Sequence, residues 1–247
     1  MVTQSRAKAV PLLLTRPEAQ GADFAKRLSI RFGNTVKIIK TPLLAPRFLS
    51  PALPAGPFSA LILTSQTGVE GYLRLGAARH LPRQVYCVGE RTASAARAAQ
   101  LVPVSIADDA ASLILQIKAL QPEGTLLHLR GREVRGNIGA LLLSAGIDTK
   151  EAEIYAQDPL ALTAAAAETL LTPAPVLVPL FSPRTAAIFT AEMARLKGVS
   201  PLFVAAMSGQ VALEAGALGA QVKVAIRPDV AAMIETIELL LTHLQHD

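Results

Sequence analysis

The sequence predicts an α/β protein with two doubly wound parallel-sheet domains, the first discontinuous, joined by two linker strands. Six short apolar segments end in small or polar residues and pass directly into a helix-like pattern. Buried strands that alternate with helices in this way form a parallel sheet covered on both faces. The six segments also repeat in a permuted order, so one domain must be assembled from both ends of the chain.

Each of the six predicted strand-turn-helix units is marked by a short motif at its turn. In chain order the motifs are L-L-L-T-R-P (12–17), L-I-L-T-S-Q-T-G (61–68), V-Y-C-V-G-E-R-T (85–92), L-L-H-L-R-G (126–131), V-P-L-F-S-P-R-T (178–185) and V-A-A-M-S-G-Q (204–210). The final helix has its own signals, because Asp229 is a predicted N-cap and apolar residues recur at threes and fours from Val230 to Leu241.

Equivalent turns recur at nearly constant separations along the chain. Ser65 and Ser182 lie 117 positions apart, and Arg16 and Arg130 lie 114 apart. The second and third units therefore pair with the fifth and sixth, and the fourth unit pairs with the first. Each half then has three units, and the chain must cross between the two domains twice.

Proline-rich stretches predict where the crossings lie, since proline stops regular structure. The two proline-rich stretches are residues 42–57 and 159–179. We predict domain 1 at residues 1–40 and 160–247, domain 2 at 50–150, and interdomain linker strands at 41–49 and 151–159. The K-I-I-K and E-I-Y-A-Q segments beside the crossings look extended, which predicts an antiparallel pair of linker strands.

Composition excludes several classes of protein. No apolar run reaches the roughly 18 residues of a membrane-spanning helix, and no secretory leader is recognisable. The only cysteine, Cys87, precludes an internal disulfide, and zinc-type spacings, G-x-G-x-x-G and the P-loop motif are absent. The net charge of +5 comes with 4% aromatic residues and no Trp, which disfavours nucleic-acid binding. We expect a cytoplasmic protein that acts as a monomer, without metal, cofactor, membrane or nucleic acid.

The six turns also predict a binding surface. In parallel sheets ligands bind beyond the carboxyl ends of the strands, where helix N-termini present N–H groups. Two such domains facing each other would form a cleft suited to carboxylates or phosphates. The alternative is that the hydroxyl residues of the turns only cap their own helices, and the sequence leaves both open.

The sequence contains few candidates for catalytic residues. His128 lies inside a strand and is expected to be a hydrogen-bonded core histidine. Cys87 is expected to be inert, and no catalytic triad is recognisable.

Taken together, the motifs resemble those of the uroporphyrinogen-III synthase family over nearly the whole chain. The resemblance rests on L-L-L-T-R-P-E-A-Q, L-T-S-Q-T-G-V-E, V-G-E-R-T-A-S-A, L-R-G-R-E-V-R-G with A-G-I-D-T-K-E-A-E-I-Y, F-S-P-R-T-A and D-V-A-A-M-I. It implies a cofactor-free lyase that closes hydroxymethylbilane, a linear tetrapyrrole with eight carboxylates, into uroporphyrinogen III with inversion of ring D. Such an enzyme directs which carbon forms the new bond, a task for proximity and orientation.

The resemblance also implies roles for individual residues. Tyr155 matches the tyrosine proposed to assist departure of the hydroxyl, although a linker tyrosine that only packs its ring is an equal alternative. The resemblance implies that four residues of the turns line the substrate cleft: Ser65, Thr67, Thr92 and Ser182. Arg130, Arg184 and Ser208, which lie in further turns or beside these residues, are also predicted to bind substrate. The sixth turn departs from the family's G-P-T-T-A, because it has Ser208 followed by Gly209 and Gln210.

Two other functions remain as alternatives. One is a two-lobed small-anion-binding or regulatory module without turnover, since hinged α/β pairs commonly close on small anions. The other is a basic protein associated with nucleic acid, whose affinity would fall steeply with salt.

Overall fold

The computed structural model describes residues 9–76, 78–133 and 136–244. The chain forms two compact units: unit 1 comprises Met1–Ala45 and Pro159–Asp247, and unit 2 comprises Pro46–Asp158. In chain order the described elements are β1 (Val10–Leu14), α1 (Glu18–Phe32), β2 (Val36–Lys40), β3 (Leu44–Phe48), β4 (Ala60–Leu63), α2 (Gln66–Arg74), β5 (Gln84–Val88), α3 (Glu90–Ala98), β6 (Val102–Ala107), α4 (Ala110–Leu120), β7 (Leu126–Gly131), α5 (Ile138–Leu143), β8 (Thr149–Pro159), α6 (Ala164–Leu170), β9 (Val176–Leu180), α7 (Pro183–Leu196), β10 (Leu202–Ala206), α8 (Gly209–Glu214), β11 (Gln221–Val224) and α9 (Val230–Leu244).

The two sheets share one strand order. The sheet of unit 1 runs β11-β10-β9-β1-β2, and the sheet of unit 2 runs β3-β8-β7-β4-β5-β6. Read from its other edge and without β3, the second sheet is β6-β5-β4-β7-β8, which matches the first strand by strand. Thus β9 and β10 correspond to β4 and β5, while β1 corresponds to β7, which confirms the permuted repeat.

The strand pairs β1–β2, β1–β9, β9–β10, β10–β11, β4–β5, β4–β7, β5–β6 and β7–β8 are parallel, and the central strands have apolar residues on both faces. The central strand β4 is buried at every position, as are β9 and β10. In β1 the side chain of Leu13 joins the core on one face of the sheet, while Leu12 and Leu14 join the core on the other. Strands covered on both faces read as continuous apolar runs. The α/β fold class predicted from those runs is confirmed.

One segment expected beside the linker is extended, as predicted, but it lies within the sheet of unit 1. The K-I-I-K segment belongs to β2, which pairs in parallel with β1 from Val10↔Val36 to Leu14↔Lys40. Val36 and Ile39 are buried in opposite cores of unit 1, so this segment completes a sheet instead of joining the two units. The strand that lies beside β8 is β3, eight residues beyond the start of β2.

Capping side chains begin the helices at the carboxyl ends of the strands. The Oγ of Ser65 accepts the Gly68 N–H at 3.0 Å, and Ser182, its equivalent in the repeat, accepts the Thr185 N–H at 3.1 Å. Asp229 accepts the Ala232 N–H at 2.8 Å, which confirms its predicted role as an N-cap. Each cap satisfies one of the free N–H groups of a first helical turn.

Within the described segments, no helix combines the length and apolar character needed to cross a membrane.

Candidate active site

Unit 2 contains a cavity of about 370 Å³ beyond the carboxyl ends of its strands. The turn after β4, the end of β5, the start of α4, the strands β7 and β8, and described residues between β7 and α5 contribute to its wall. The lining residues are Thr64, Val88, Ala110, His128, Arg130, Glu133, Gly136, Asn137, Ile138, Glu151 and Tyr155. The volume is in the range of small-molecule sites, and this end of a parallel sheet is where such sites lie.

Tyr155 reaches across the sheet to the turn after β4. Its hydroxyl lies 3.0 Å from Oγ of Ser65, although Tyr155 is on β8 and β7 runs between β8 and β4. The same Oγ accepts the Gly68 N–H, so Ser65 both caps α2 and holds the phenol. Of the predicted site residues, Tyr155 and Ser65 are therefore in direct contact, and Tyr155 and Arg130 line one cavity.

Arg130 is held by two carboxylates of β8. Its Nε donates to Oε2 of Glu151 at 2.9 Å, and an amino group of the same guanidinium lies 3.4 Å from Oε1 of Glu153. That amino group also donates to the carbonyl of Gly131 at 3.0 Å. The charge of Arg130 is thus largely balanced within unit 2, and its side chain is only 18% exposed.

His128 shares Glu151 with Arg130. Its Nδ1 lies 3.0 Å from Oε1 of Glu151, and its side chain is 3% exposed. The hydrogen bond from His128 lowers the pKa of Glu151 to about 2; burial opposes this shift, while the charges of His128 and Arg130 support it. A carboxylate can only accept, so Nδ1 of His128 carries the hydrogen. The expectation of a hydrogen-bonded, buried histidine is confirmed.

The remaining predicted residues of unit 2 lie outside this cavity wall. Thr67 is half-buried near the start of α2, and Thr92, in the first turn of α3, is 4% exposed. Neither belongs to the described residues that line the cavity. Thr92 is one of the buried residues of α3, with Ala93 and Ala96.

In unit 1 the predicted residues lie in the turns after β9 and β10. Ser182 caps α7 and its Oγ also lies 2.9 Å from Oγ1 of Thr185, while Ser208 accepts the Val211 N–H at 3.5 Å. Arg184 is half-buried in the first turn of α7. The hydroxyl groups of Ser182 and Ser208 thus cap the helices that follow them. Capping of this kind is one of the two roles that the sequence left open for the turn residues.

Arg16, the counterpart of Arg130 in the repeat, is held differently. Its guanidinium carbon lies 4.1 Å from the centre of the Phe181 ring and 5.9 Å from that of Phe24. The two rings meet edge to face at 5.0 Å. Stacking on aromatic faces fixes the orientation of a guanidinium.

Sequence reasoning missed Glu151 and Glu153 as partners of the basic residues on β7. A signal was present, since His128 and Arg130 alternate on one strand and two glutamates alternate on a later one. Only the pairing of the strands, His128↔Glu151 and Arg130↔Glu153, brings the two sets together. Opposite charges directly across a pair of strands stabilise that pairing.

The single cysteine and the possible metal ligands of the described segments complete the account of reactive groups. Cys87 is buried, and this burial raises the pKa of its thiol to about 11, as expected for an inert residue. In the segments covered by the structure, no three His, Cys, Asp or Glu side chains are grouped so that they could hold a metal ion.

The sequence matches the model of one protein family over most of its length. The family model described as uroporphyrinogen-III synthase HemD matches residues 31–235, which is most of the chain. A comparison with curated proteins gives no match. The family match supports the enzyme and gives no support to the small-anion-binding module.

Solved structures share the fold at low sequence identity. The uroporphyrinogen-III synthetase of Helicobacter pylori is 19% identical with a TM-score of 0.62, covering 94% of this chain and 99% of that one. A mutant uroporphyrinogen III synthase of Thermus thermophilus is 14% identical with a TM-score of 0.50, covering 95% of this chain and 100% of that one. At such identities the likeness concerns the fold.

Proposed function

The chain belongs to the uroporphyrinogen-III synthase family, cofactor-free lyases of haem biosynthesis, and we propose that Tyr155 and the turns at the strand ends carry the family's reaction. The substrate class is a tetrapyrrole, and the specific substrate is hydroxymethylbilane, which is closed to uroporphyrinogen III with inversion of ring D. The observation that carries this function is the family match over residues 31–235.

The first chemical step is loss of the terminal hydroxyl of the bilane. The lone pair of the adjacent pyrrole nitrogen drives out the hydroxyl, and Tyr155 donates the proton with which it leaves as water. Phenols hold their proton at neutral pH and can donate it in a transition state. This leaves the azafulvene as its N-protonated cation, which is attacked by the substituted carbon of ring D. Rearrangement of the spiro intermediate inverts that ring, and the proton that ring D loses on closure restores the phenol of Tyr155.

Ser65 has a defined part in this step. One lone pair of its Oγ accepts the Gly68 N–H, and its own hydrogen is free to be donated to the phenol oxygen of Tyr155 at 3.0 Å. That direction leaves the phenol hydrogen available for the leaving hydroxyl. A hydrogen bond from Ser65 then stabilises the negative charge that develops on the phenol oxygen.

The carboxylates of the substrate are bound by donors of the strand-end turns in both units. The proposed donors are Thr67, Thr92 and Arg130 in unit 2 and Ser182, Arg184 and Ser208 in unit 1. Helix N-termini at such turns present N–H groups and favour negative charge. Because Arg130 already pairs with Glu151 and Glu153, we assign it a small contribution to affinity. The protein is proposed to act in the cytoplasm as a monomer, with no nucleic-acid or membrane partner.

One experiment tests the function directly. Freshly generated hydroxymethylbilane is incubated with the purified protein, and the type III and type I isomers are separated after oxidation. Without enzyme the bilane closes to type I, so a predominance of type III is the expected result. The same yield is expected after exhaustive chelation; only type I product, or activity that returns on adding a metal, would contradict the proposal.

A further inference from the structure

A β-bulge beside Gly131 determines where Tyr155 lies. The strands β7 and β8 pair as Arg130↔Glu153 and then as Gly131↔Tyr155, so Ile154 is an extra residue on β8. Ile154 is fully buried against unit 2's core, which anchors the extra residue. The Arg132 N–H donates to the carbonyl of Tyr155 at 2.8 Å and closes the bulge. Bulges re-aim the side chain that follows them.

The ring of Tyr155 covers the Cα of Gly131. A Cβ added to Gly131 would lie 2.7 Å from Cε2 and Cζ of Tyr155 and 3.0 Å from its hydroxyl oxygen. Real Cβ atoms do not approach other atoms so closely, so any side chain here would displace the phenol. The backbone of Gly131 does not have a positive φ, so alanine could adopt its conformation. What the glycine supplies is space for the ring.

We propose that Gly131 is a positioning residue for the reaction: its missing side chain lets the phenol of Tyr155 cross β7 and meet Ser65. This inference rests on the proposed role of Tyr155. An added methyl group lifts the ring from the strand and separates the phenol from Ser65 Oγ and from the leaving hydroxyl. Misplacement of a catalytic group by about 1 Å can cost on the order of 100-fold in rate.

The test is a double-mutant cycle between Gly131→Ala and Tyr155→Phe. In the parent, Gly131→Ala is expected to lower kcat by roughly 10- to 100-fold with KM within about twofold. In the Tyr155→Phe background the same change is expected to lower kcat by no more than about twofold, because the hydroxyl it displaces is already gone. Equal losses in both backgrounds, or no loss in the parent, would overturn the inference.

Gly216→Ala is the matched control. Apart from its chain neighbours and the backbone of its own helical turn, no described heavy atom lies within 4 Å of the position of its added Cβ, and its φ is not positive. Its kcat is expected to equal that of the parent.

A second measurement does not depend on activity. The protein is labelled with tyrosine carrying ¹³C at Cζ, and the Tyr155 signal is assigned by its loss in Tyr155→Phe, since the chain has 3 tyrosines. Gly131→Ala is expected to shift that signal and leave the Tyr72 and Tyr86 signals in place. An unmoved Tyr155 signal overturns the inference even if the parent converts hydroxymethylbilane. If the parent protein has no activity but Gly131→Ala still shifts the Tyr155 signal, the proposed function is refuted and the proposed placement of the ring is kept.

Thermal unfolding provides a rescue test if Gly131→Ala alone folds poorly. Tyr155→Ala removes the ring that the new methyl group would meet. The double variant with Gly131→Ala and Tyr155→Ala is therefore expected to unfold within a few degrees of Tyr155→Ala alone. A Tm penalty as large as in the parent background would show that the methyl group meets something other than Tyr155.

Discussion

The hydroxyl of Tyr155 and the Oγ of Ser65 lie 3.0 Å apart although they are 90 positions apart in the chain. Their contact joins a residue of β8 to the N-cap of α2. The cap orients the serine, because one lone pair of Oγ is committed to the Gly68 N–H. A local capping interaction thus fixes the position of one oxygen of a long-range hydrogen bond, in which either hydroxyl can be the donor.

Tyr155→Phe is expected to slow formation of type III product by roughly 10- to 100-fold, about 1.4 to 2.7 kcal/mol in activation free energy. The change removes one proton donor and keeps the ring, and the pyrrole nitrogen still expels the hydroxyl. Thermal stability should change little, because water can replace a hydroxyl beside a cavity. The measurement is kcat with isomer analysis, together with Tm. A phenylalanine variant as fast as the parent would remove Tyr155 from the mechanism.

Ser65→Ala is expected to have two separable effects. Loss of the α2 cap should lower the free energy of unfolding by about 1 kcal/mol, and loss of the bond to the phenol should reduce kcat roughly three- to tenfold. Denaturant unfolding and steady-state kinetics measure the two effects.

Thr163→Ala is the matched control for Ser65→Ala. Thr163 caps α6 by accepting the Ala166 N–H and has no contact with Tyr155 among the hydrogen bonds that the structure describes. This variant should lose a similar stability and keep the parent kcat. If both variants lost activity equally, the effect of Ser65→Ala would be one of stability alone.

Acid should destabilise the fold in part through Glu151. Its folded-state pKa of about 2 is below the ordinary 4.5, chiefly because of the hydrogen bond from His128. The stabilisation is therefore complete above about pH 4.5 and is lost as the pH falls toward 2. In Glu151→Gln, which has no charge to lose, the free energy of unfolding should be lower at neutral pH and should fall less between pH 4.5 and 2. Parallel pH profiles for the two proteins would contradict this.

Cys87 should not react with an aromatic disulfide reagent at pH 8 in the folded protein. Burial raises the pKa of its thiol to about 11, so the thiolate is scarce, and the side chain is 0% exposed. Unfolding in denaturant should release one reactive thiol, since the chain has 1 cysteine. Rapid reaction without denaturant would show that the strand β5 opens locally.

Local sequence signals were enough to predict the strand-helix alternation and the permuted order of the two sheets. Apolar runs such as Leu61–Leu63 identify buried strands because a strand covered on both faces has no polar side. Ser65 and Ser182 identify helix starts because a cap bonds to the N–H three residues ahead. Both signals act over a few residues, so they can be read without knowing what lies nearby in space.

The tertiary structure alone decided the partners of Tyr155, Glu151 and the K-I-I-K segment. Each depends on which strand is the neighbour and in what register, and a shift of one residue turns every side chain to the other face. No sequence feature showed that Ile154 is an extra residue in the pairing of β7 with β8, yet that bulge places Tyr155 over Gly131. The sequence determined which residues form strands and helix starts, because those depend on neighbours along the chain. Sheet pairing determined which side chains meet at the site, because contacts between residues 90 positions apart exist only after the strands have assembled.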